Sequence, residues 1–252
     1  MRPRNKKNLE KRLSAGAEVL EQNPESKKGA WKGEYKSLRV EIGCGKGAFL
    51  CGMAEKEPDV MFVGIESVKN VIVTATEKVR EKGLGNVRFI CANALFMGDF
   101  FAEGEIETIY LNFSDPWPRD RYHKNRLTGE NFLPLYVKLL RDGGHIVQKT
   151  DNTDLFDFSL ESYAANGCVV NALSRDLHNE PWYAETGNVV TEYEERFTGI
   201  GVPICYADVT VPPRGEVADK IRACEERIAI RKKYETEAAA ERRERAKKKR
   251  GE

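Results

Sequence analysis

The chain has 252 residues, 40% of them hydrophobic, enough for one large core or two modest ones. Its 41 basic and 40 acidic residues leave a formal charge of +1, so any nucleic-acid contact must rest on local clusters rather than on overall charge. No apolar run approaches a membrane span, the N-terminus has no signal-peptide core, and six scattered cysteines make neither a C-x-x-C pair nor a Cys/His metal spacing; these features predict a cytoplasmic protein with no metal and no membrane partner.

Residues 1–37 are charged and poorly periodic. Arg2, Arg4, Lys6, Lys7, Lys11 and Arg12 make a basic arm. Two readings stay open for it: a frayed terminus, or an arm anchored through Trp31 and Tyr35 that touches RNA or closes as a lid.

Residues 38–212 read as one domain in which strands alternate with helices. The first strand (38–43) enters the glycine-rich turn Gly43-Cys44-Gly45-Lys46-Gly47, and a helical pattern follows to Glu57. The second strand (60–66) ends at Glu66, and its helix (68–82) closes on Gly83-Leu84-Gly85. The third strand (86–92) runs into Asn93-Ala94. The fourth (106–113) runs into Ser114-Asp115-Pro116-Trp117-Pro118. A helix near 130–141 precedes a fifth strand (145–150), which ends at Asp151. After a helix near 153–166, residues 168–177 read as a strand. Thr191–Phe197 then leads to a last strand at 204–209 with no helix-length pattern between, so the final strands should pair antiparallel. The expected fold is α/β: a doubly wound, mostly parallel, seven-stranded Rossmann-like sheet with an antiparallel edge strand, of the class I S-adenosylmethionine-dependent methyltransferase type.

In such a sheet, ligand binds outside the carboxyl ends of the strands, where Glu41, Glu66, Asn93, Asp115 and Asp151 all fall. Glycines 43, 45 and 47 would let the backbone approach a ligand closely. Glu66 stands about 20 residues past them, at the distance of a ribose-binding acid. The glycine spacing alone also fits a dinucleotide. Glu41, two residues before the turn, would repel a pyrophosphate but suits a cationic amine. S-adenosylmethionine, with a sulfonium, an ammonium and a ribose, satisfies both acids.

Residues 213–252 are nearly all charged or alanine. Val217, Ile221, Cys224 and Ile228 make a narrow apolar seam at 4-3-4 spacing. The expectation is a helix that docks for three turns and then projects, ending in the basic Lys247–Arg250.

Taken together, E-I-G-C-G-K-G at 41–47, N-F-S-D-P-W-P at 112–118, the basic run at 119–126, K-T-D-N at 149–152 and T-E-Y-E at 191–194 resemble the single-subunit bacterial tRNA (guanine-N7-)-methyltransferase family. The resemblance implies methyl transfer from S-adenosylmethionine to N7 of a guanosine in the tRNA variable loop. It implies that Glu41, Glu66, Asn93, Ala94 and Asp115, with Gly43, Gly45 and Gly47, hold the cofactor. It implies that Arg119, Arg121, Lys124, Arg126, Asp151, Thr191, Glu192, Tyr193 and Glu194 serve the tRNA substrate.

The chemistry agrees with the residues. Guanine N7 carries no proton at neutral pH and needs no general base, consistent with the scattered positions of His123, His145 and His178. Positive charge moves onto the purine during transfer, and a carboxylate beside it is stabilising. Asp115 is the catalytic candidate, with Asp151 second. Trp117 could stack on the base or plug the core under its loop. A methyltransferase acting on an exocyclic amine or a protein side chain, a NAD-dependent oxidoreductase and a non-catalytic RNA-binding module are the competing readings.

Overall fold

The computed structural model describes residues 8–250, with the backbone alone for 242, 243 and 245–250. Arg2, Arg4, Lys6, Lys7 and the side chains of Lys247–Arg250 therefore lie outside the described residues.

The chain begins with helix α1 (Leu9–Ala15) and a short strand β1 (Leu20–Glu21). β2 (Ser37–Ile42), α2 (Ala48–Lys56), β3 (Val60–Ile65), α3 (Lys69–Lys82), β4 (Val87–Ile90), α4 (Met97–Phe100) and β5 (Ile106–Asn112) follow in alternation. Next come α5 (Leu133–Leu139), β6 (Leu140–Thr150), α6 (Thr153–Ala165), β7 (Val169–Ser174), α7 (Glu192–Thr198), β8 (Cys205–Thr210) and the long α8 (Ala218–Arg250). The strands form one sheet in the order β1-β4-β3-β2-β5-β6-β8-β7. All neighbouring pairs from β1 to β6 are parallel, and β8 runs antiparallel to both β6 and β7.

Period-two patterning explains how the sheet is covered. Leu38, Val40 and Ile42 of β2 turn to one face, where they join Leu133, Tyr136, Phe156 and Tyr163 from α5 and α6. Phe62, on the other face of β3, joins Leu50, Ile72 and Val79 from α2 and α3. Burial on both faces is why β3 reads as a continuous apolar run.

The sheet has eight strands where seven were expected. The extra one is β1, two residues long, paired in parallel with β4 at Leu20–Phe89 and Glu21–Ile90. With it, the described part of the N-terminal arm becomes part of the fold. Leu13 packs into the α2/α3 core, and Arg12 grips Glu77 through two bonds of 2.6 Å. Trp31 is 5% exposed and donates from Nε1 to the Phe100 carbonyl at 2.8 Å, while Glu105 accepts from the amides of Gly29, Trp31 and Ala102. A segment so polar was opaque because its few apolar residues make contacts distant in sequence.

Two further expectations change. The helix expected near 130–141 is shorter, and the backbone is already in β6 at Leu140, with Asp142-Gly143-Gly144 inside that strand. The Thr191–Phe197 segment is a helix. Thr191 caps it by accepting from the Glu194 amide at 2.9 Å, and Glu194 reaches back to the Thr191 amide at 3.3 Å. The capping box was visible in T-E-Y-E; the helix is too short to show periodicity. Among the described residues no helix is long and apolar enough to cross a membrane, and no cluster of His, Cys, Asp and Glu is placed to hold a metal ion.

Candidate active site

A cavity of about 850 Å³ opens at the carboxyl ends of β2, β3, β4 and β5. Gly43, Glu66, Asn93, Ala94 and Asp115 line it, joined by Lys124 from the basic run. The parallel sheet brings the first five together because Gly43 and Glu66 directly follow β2 and β3, and Asn93, Ala94 and Asp115 lie in the turns just past β4 and β5. Gly43 adopts φ +75, and a Cβ added there would meet nothing within 4 Å, so a side chain at this position would intrude on the cavity. The Glu66 carboxylate is aimed by two backbone donors, Val68 N at 2.9 Å and Gly45 N at 3.3 Å. Asn93 Oδ1 accepts from Leu95 N at 3.0 Å, which fixes that side chain at the cavity edge.

Gly47 has a different role from the one its spacing suggested. A Cβ there would lie 2.9 Å from Ala75 Cβ and 3.0 Å from Phe89. It allows α2 to pack against α3 and the sheet and does not open onto the cavity.

Glu41 lies beneath the cavity, behind Asn112. It is 3% exposed, and its Oε1 accepts from Asn112 Nδ2 at 2.8 Å. Its Oε2 and Asn112 Oδ1 are buried without a hydrogen-bond partner among the described residues. Burial pushes its carboxyl up to about 7, against the pull of Asn112 and Lys149 and with a push from Glu66. Two orphaned acceptors under a glycine turn fit a donor-rich or cationic ligand.

Asp115 is presented by a strained loop. Phe113 at φ +52 and Trp117 at φ +43 are both left-handed, a costly conformation for aromatic residues, and they flank it on either side. The loop is held from two directions. Phe113 N donates to the Lys149 carbonyl at 2.8 Å, and Arg126 Nε donates to the Pro116 carbonyl at 2.8 Å. Arg126 is 4% exposed, with its guanidinium 4.5 Å from the Phe158 ring. It staples the Asp115 loop, whereas Arg119, Arg121 and Lys124 stand exposed and open to a polyanion. Trp117 is half-buried, 5.9 Å from the Tyr122 ring, and lines the cavity.

The residues expected to serve the substrate lie just past β6 and at the start of α7. Tyr193 donates to Asp151 Oδ2 at 3.4 Å, with its ring 4.3 Å from Phe197 and 4.8 Å from Phe113. Glu192 bridges Lys46 at 3.0 Å and Lys78 at 2.7 Å, and these lysines hold its carboxyl below the usual range. Glu194 is fully buried, and all of its partners are internal. Oε2 meets Lys149 Nζ at 2.6 Å, and Oε1 meets His178 Nε2 at 2.9 Å and Asn188 Nδ2 at 3.0 Å. Expected to serve the substrate, Glu194 instead anchors α7 to β6 and sets the positions of Tyr193 and Thr191. Lys149, Asn188 and His178 were missed as partners. The signal available was Lys149, a cation at the end of a strand whose alternate residues are buried, which must find a carboxylate.

The "Putative methyltransferase" family model matches residues 35–207. A protein of Geobacillus sp. named tRNA (guanine-N(7)-)-methyltransferase is 44% identical over 221 residues, covering 86% of this chain and 99% of its own. One of the same name from Bacillus subtilis is 42% identical over 212 residues, covering 83% and 98%. This chain belongs to the tRNA (guanine-N(7)-)-methyltransferase family. The family model runs from just before β2 into β8, and α8 lies outside it. Among solved structures, an antibiotic-related methyltransferase aligns with a TM-score of 0.55 at 15% identity, covering 74% of this chain and 92% of its own. A 16S rRNA methyltransferase aligns with a TM-score of 0.55 at 12% identity, covering 73% and 92%. At such identities these two establish the fold alone: a Rossmann-like methyltransferase sheet.

Proposed function

We infer that this protein methylates N7 of a guanosine in tRNA, using S-adenosylmethionine, and that its target lies in the variable loop. The observation that carries the reading is the Asp115 loop: a strained D-P-W-P turn at the mouth of a methyltransferase cavity, in a chain 44% identical to a tRNA (guanine-N(7)-)-methyltransferase.

S-adenosylmethionine supplies an electrophilic methyl group on a sulfonium. The residues present fit it. Glu66, steadied by the Gly45 amide, would accept from the ribose hydroxyls, Asn93 and Ala94 would hold the adenosine end, Gly43 leaves room for close approach, and the orphaned Glu41 oxygen would offer negative charge to the cationic end. Guanine N7 attacks with an in-plane lone pair, so no residue must remove a proton. Asp115 stands where positive charge develops on the purine and stabilises it. Asp151, which accepts from Tyr193, would accept from the guanine N1–H and N2 amine. Arg119, Arg121 and Lys124 neutralise tRNA phosphates, an electrostatic contribution that weakens with salt. A regular A-form helix hides N7 in its deep groove, which favours a loop guanosine. The reaction belongs to the cytoplasm, where tRNA is found.

The test is transfer of labelled methyl from S-adenosylmethionine to unmodified tRNA, with nucleoside analysis and chain cleavage at the modified position. The expected product is N7-methylguanosine in the variable loop. Methyl on an exocyclic amine, or no transfer to tRNA, overturns the reading.

A further inference from the structure

The cavity has a wall that the family model does not include. Residues of α8 line it together with Glu66, Asn93 and Ala94. α8 is held there at two places in its first half. Toward its start, the seam of Val217, Ile221, Cys224 and Ile228 packs on the core, and Glu225 pairs with Lys138 of α5. Farther along, Lys232 Nζ meets Asp99 Oδ2 of α4 at 2.6 Å, and the helix touches the Ala94–Phe96 turn that follows β4. Between these anchors Arg227 is engaged by Asn131 Oδ1 at 3.1 Å and the Glu130 carbonyl at 2.7 Å, and Arg231 by Glu235 at 2.9 Å.

Ile230 and Tyr234 differ from these neighbours. They are one helical turn apart, are 58% and 65% exposed, and both border the cavity. An aliphatic and an aromatic side chain uncovered on the lining of a hollow that also holds Glu66 suit a flat heteroaromatic ring.

We propose that α8 completes the cofactor site, with Ile230 and Tyr234 forming an apolar clasp over the adenosine end of S-adenosylmethionine. The proposal rests on the cofactor reading above and adds a wall outside the residues that the family model matches. The anchored helix holds the clasp in place before the cofactor arrives, which limits the ordering cost of binding. The side chains bury against adenosine and not against the protein, so they contribute to cofactor affinity and not to apo stability.

The experiment compares Ile230→Ala/Tyr234→Ala, Tyr234→Phe and Glu66→Ala in the full chain. Affinity for S-adenosylmethionine and S-adenosylhomocysteine is read by calorimetry, alongside apo thermal unfolding and KM for tRNA. The double variant is expected to lose about tenfold in affinity for both ligands, as the loss of one stacking contact would give, with unchanged apo unfolding and an unchanged tRNA KM. Tyr234→Phe should keep the affinity, because the ring and not the hydroxyl makes the contact. Unchanged cofactor affinity in the double variant, with Glu66→Ala impaired, overturns the clasp and leaves the cofactor site standing. A raised tRNA KM with unchanged cofactor affinity overturns it in favour of a nucleotide contact. Unchanged affinity in Glu66→Ala as well overturns the placement of the cofactor itself.

Discussion

Two buried glutamates, one on each side of the catalytic edge, are served in opposite ways. Glu194 on α7 has both oxygens occupied, by Lys149 on one and by His178 and Asn188 on the other. Glu41 on β2 has one oxygen on Asn112 and, among the described residues, no partner for the other. A carboxylate whose needs are met inside the protein holds structure together; one left short of a partner next to a cavity is waiting for a ligand. The α7 side of the edge is thus braced from within, whereas the β2 side keeps an unpartnered acceptor under the cavity, as the proposed cofactor site requires.

The sharpest way to break this contrast is to cut the brace. Lys149→Met leaves the Glu194 carboxylate buried without its cation and should destabilise the protein by about 3–5 kcal/mol, read by chemical denaturation. An effect below about 1 kcal/mol would mean that Glu194 is not structural. At the cavity, Asp115→Ala should lower turnover by about 10²–10³-fold while tRNA binding is largely kept, checked by single-turnover methylation and filter binding. Unchanged turnover would remove Asp115 from the chemistry.

Glu41 provides a pH test. Its carboxyl is raised by burial to about 7, so in the free protein it holds a proton well above the usual carboxylate range. A cationic ligand favours the ionised form, so cofactor affinity should rise between about pH 6 and pH 8, with release of a proton. Glu41→Gln should flatten that dependence. The sign for stability is the reverse. A carboxyl with a raised folded-state value contributes stability that is lost as pH climbs from its ordinary value toward about 7, so Glu41→Gln should gain on the wild type in apo unfolding above neutrality. A pH-independent cofactor affinity in the wild type would sink the assignment. The smallest effect belongs to the cap: Thr191→Ala should cost about 1 kcal/mol of stability, with activity retained in the folded protein.

Some of this was legible in residue order. The alternation of β2 through β6 with their helices followed from apolar runs and turn chemistry, and the convergence of Glu66, Asn93 and Asp115 followed from parallel topology alone. Gly47 shows where that reasoning stops. Its spacing matched a ligand-facing glycine, but its Cα faces Ala75, a contact no local pattern reveals. Arg126 and Arg121 look alike in a basic run, yet one is a buried staple on Pro116 and the other is exposed. Trp31 was legible as an anchor of the arm, but its partner Phe100 and the strand β1 were not, since those contacts lie far along the chain.

The sequence by itself determined the class of sheet, the edge at which chemistry occurs and, through its motifs, the family. Those properties depend on periodicity and on which residue follows each strand, and both are local. Only the tertiary structure decided which charges are consumed internally and which remain for ligands, because a charge is satisfied by whatever folding brings within about 3 Å of it. That is why Glu41 and Glu194, indistinguishable as letters, carry different work.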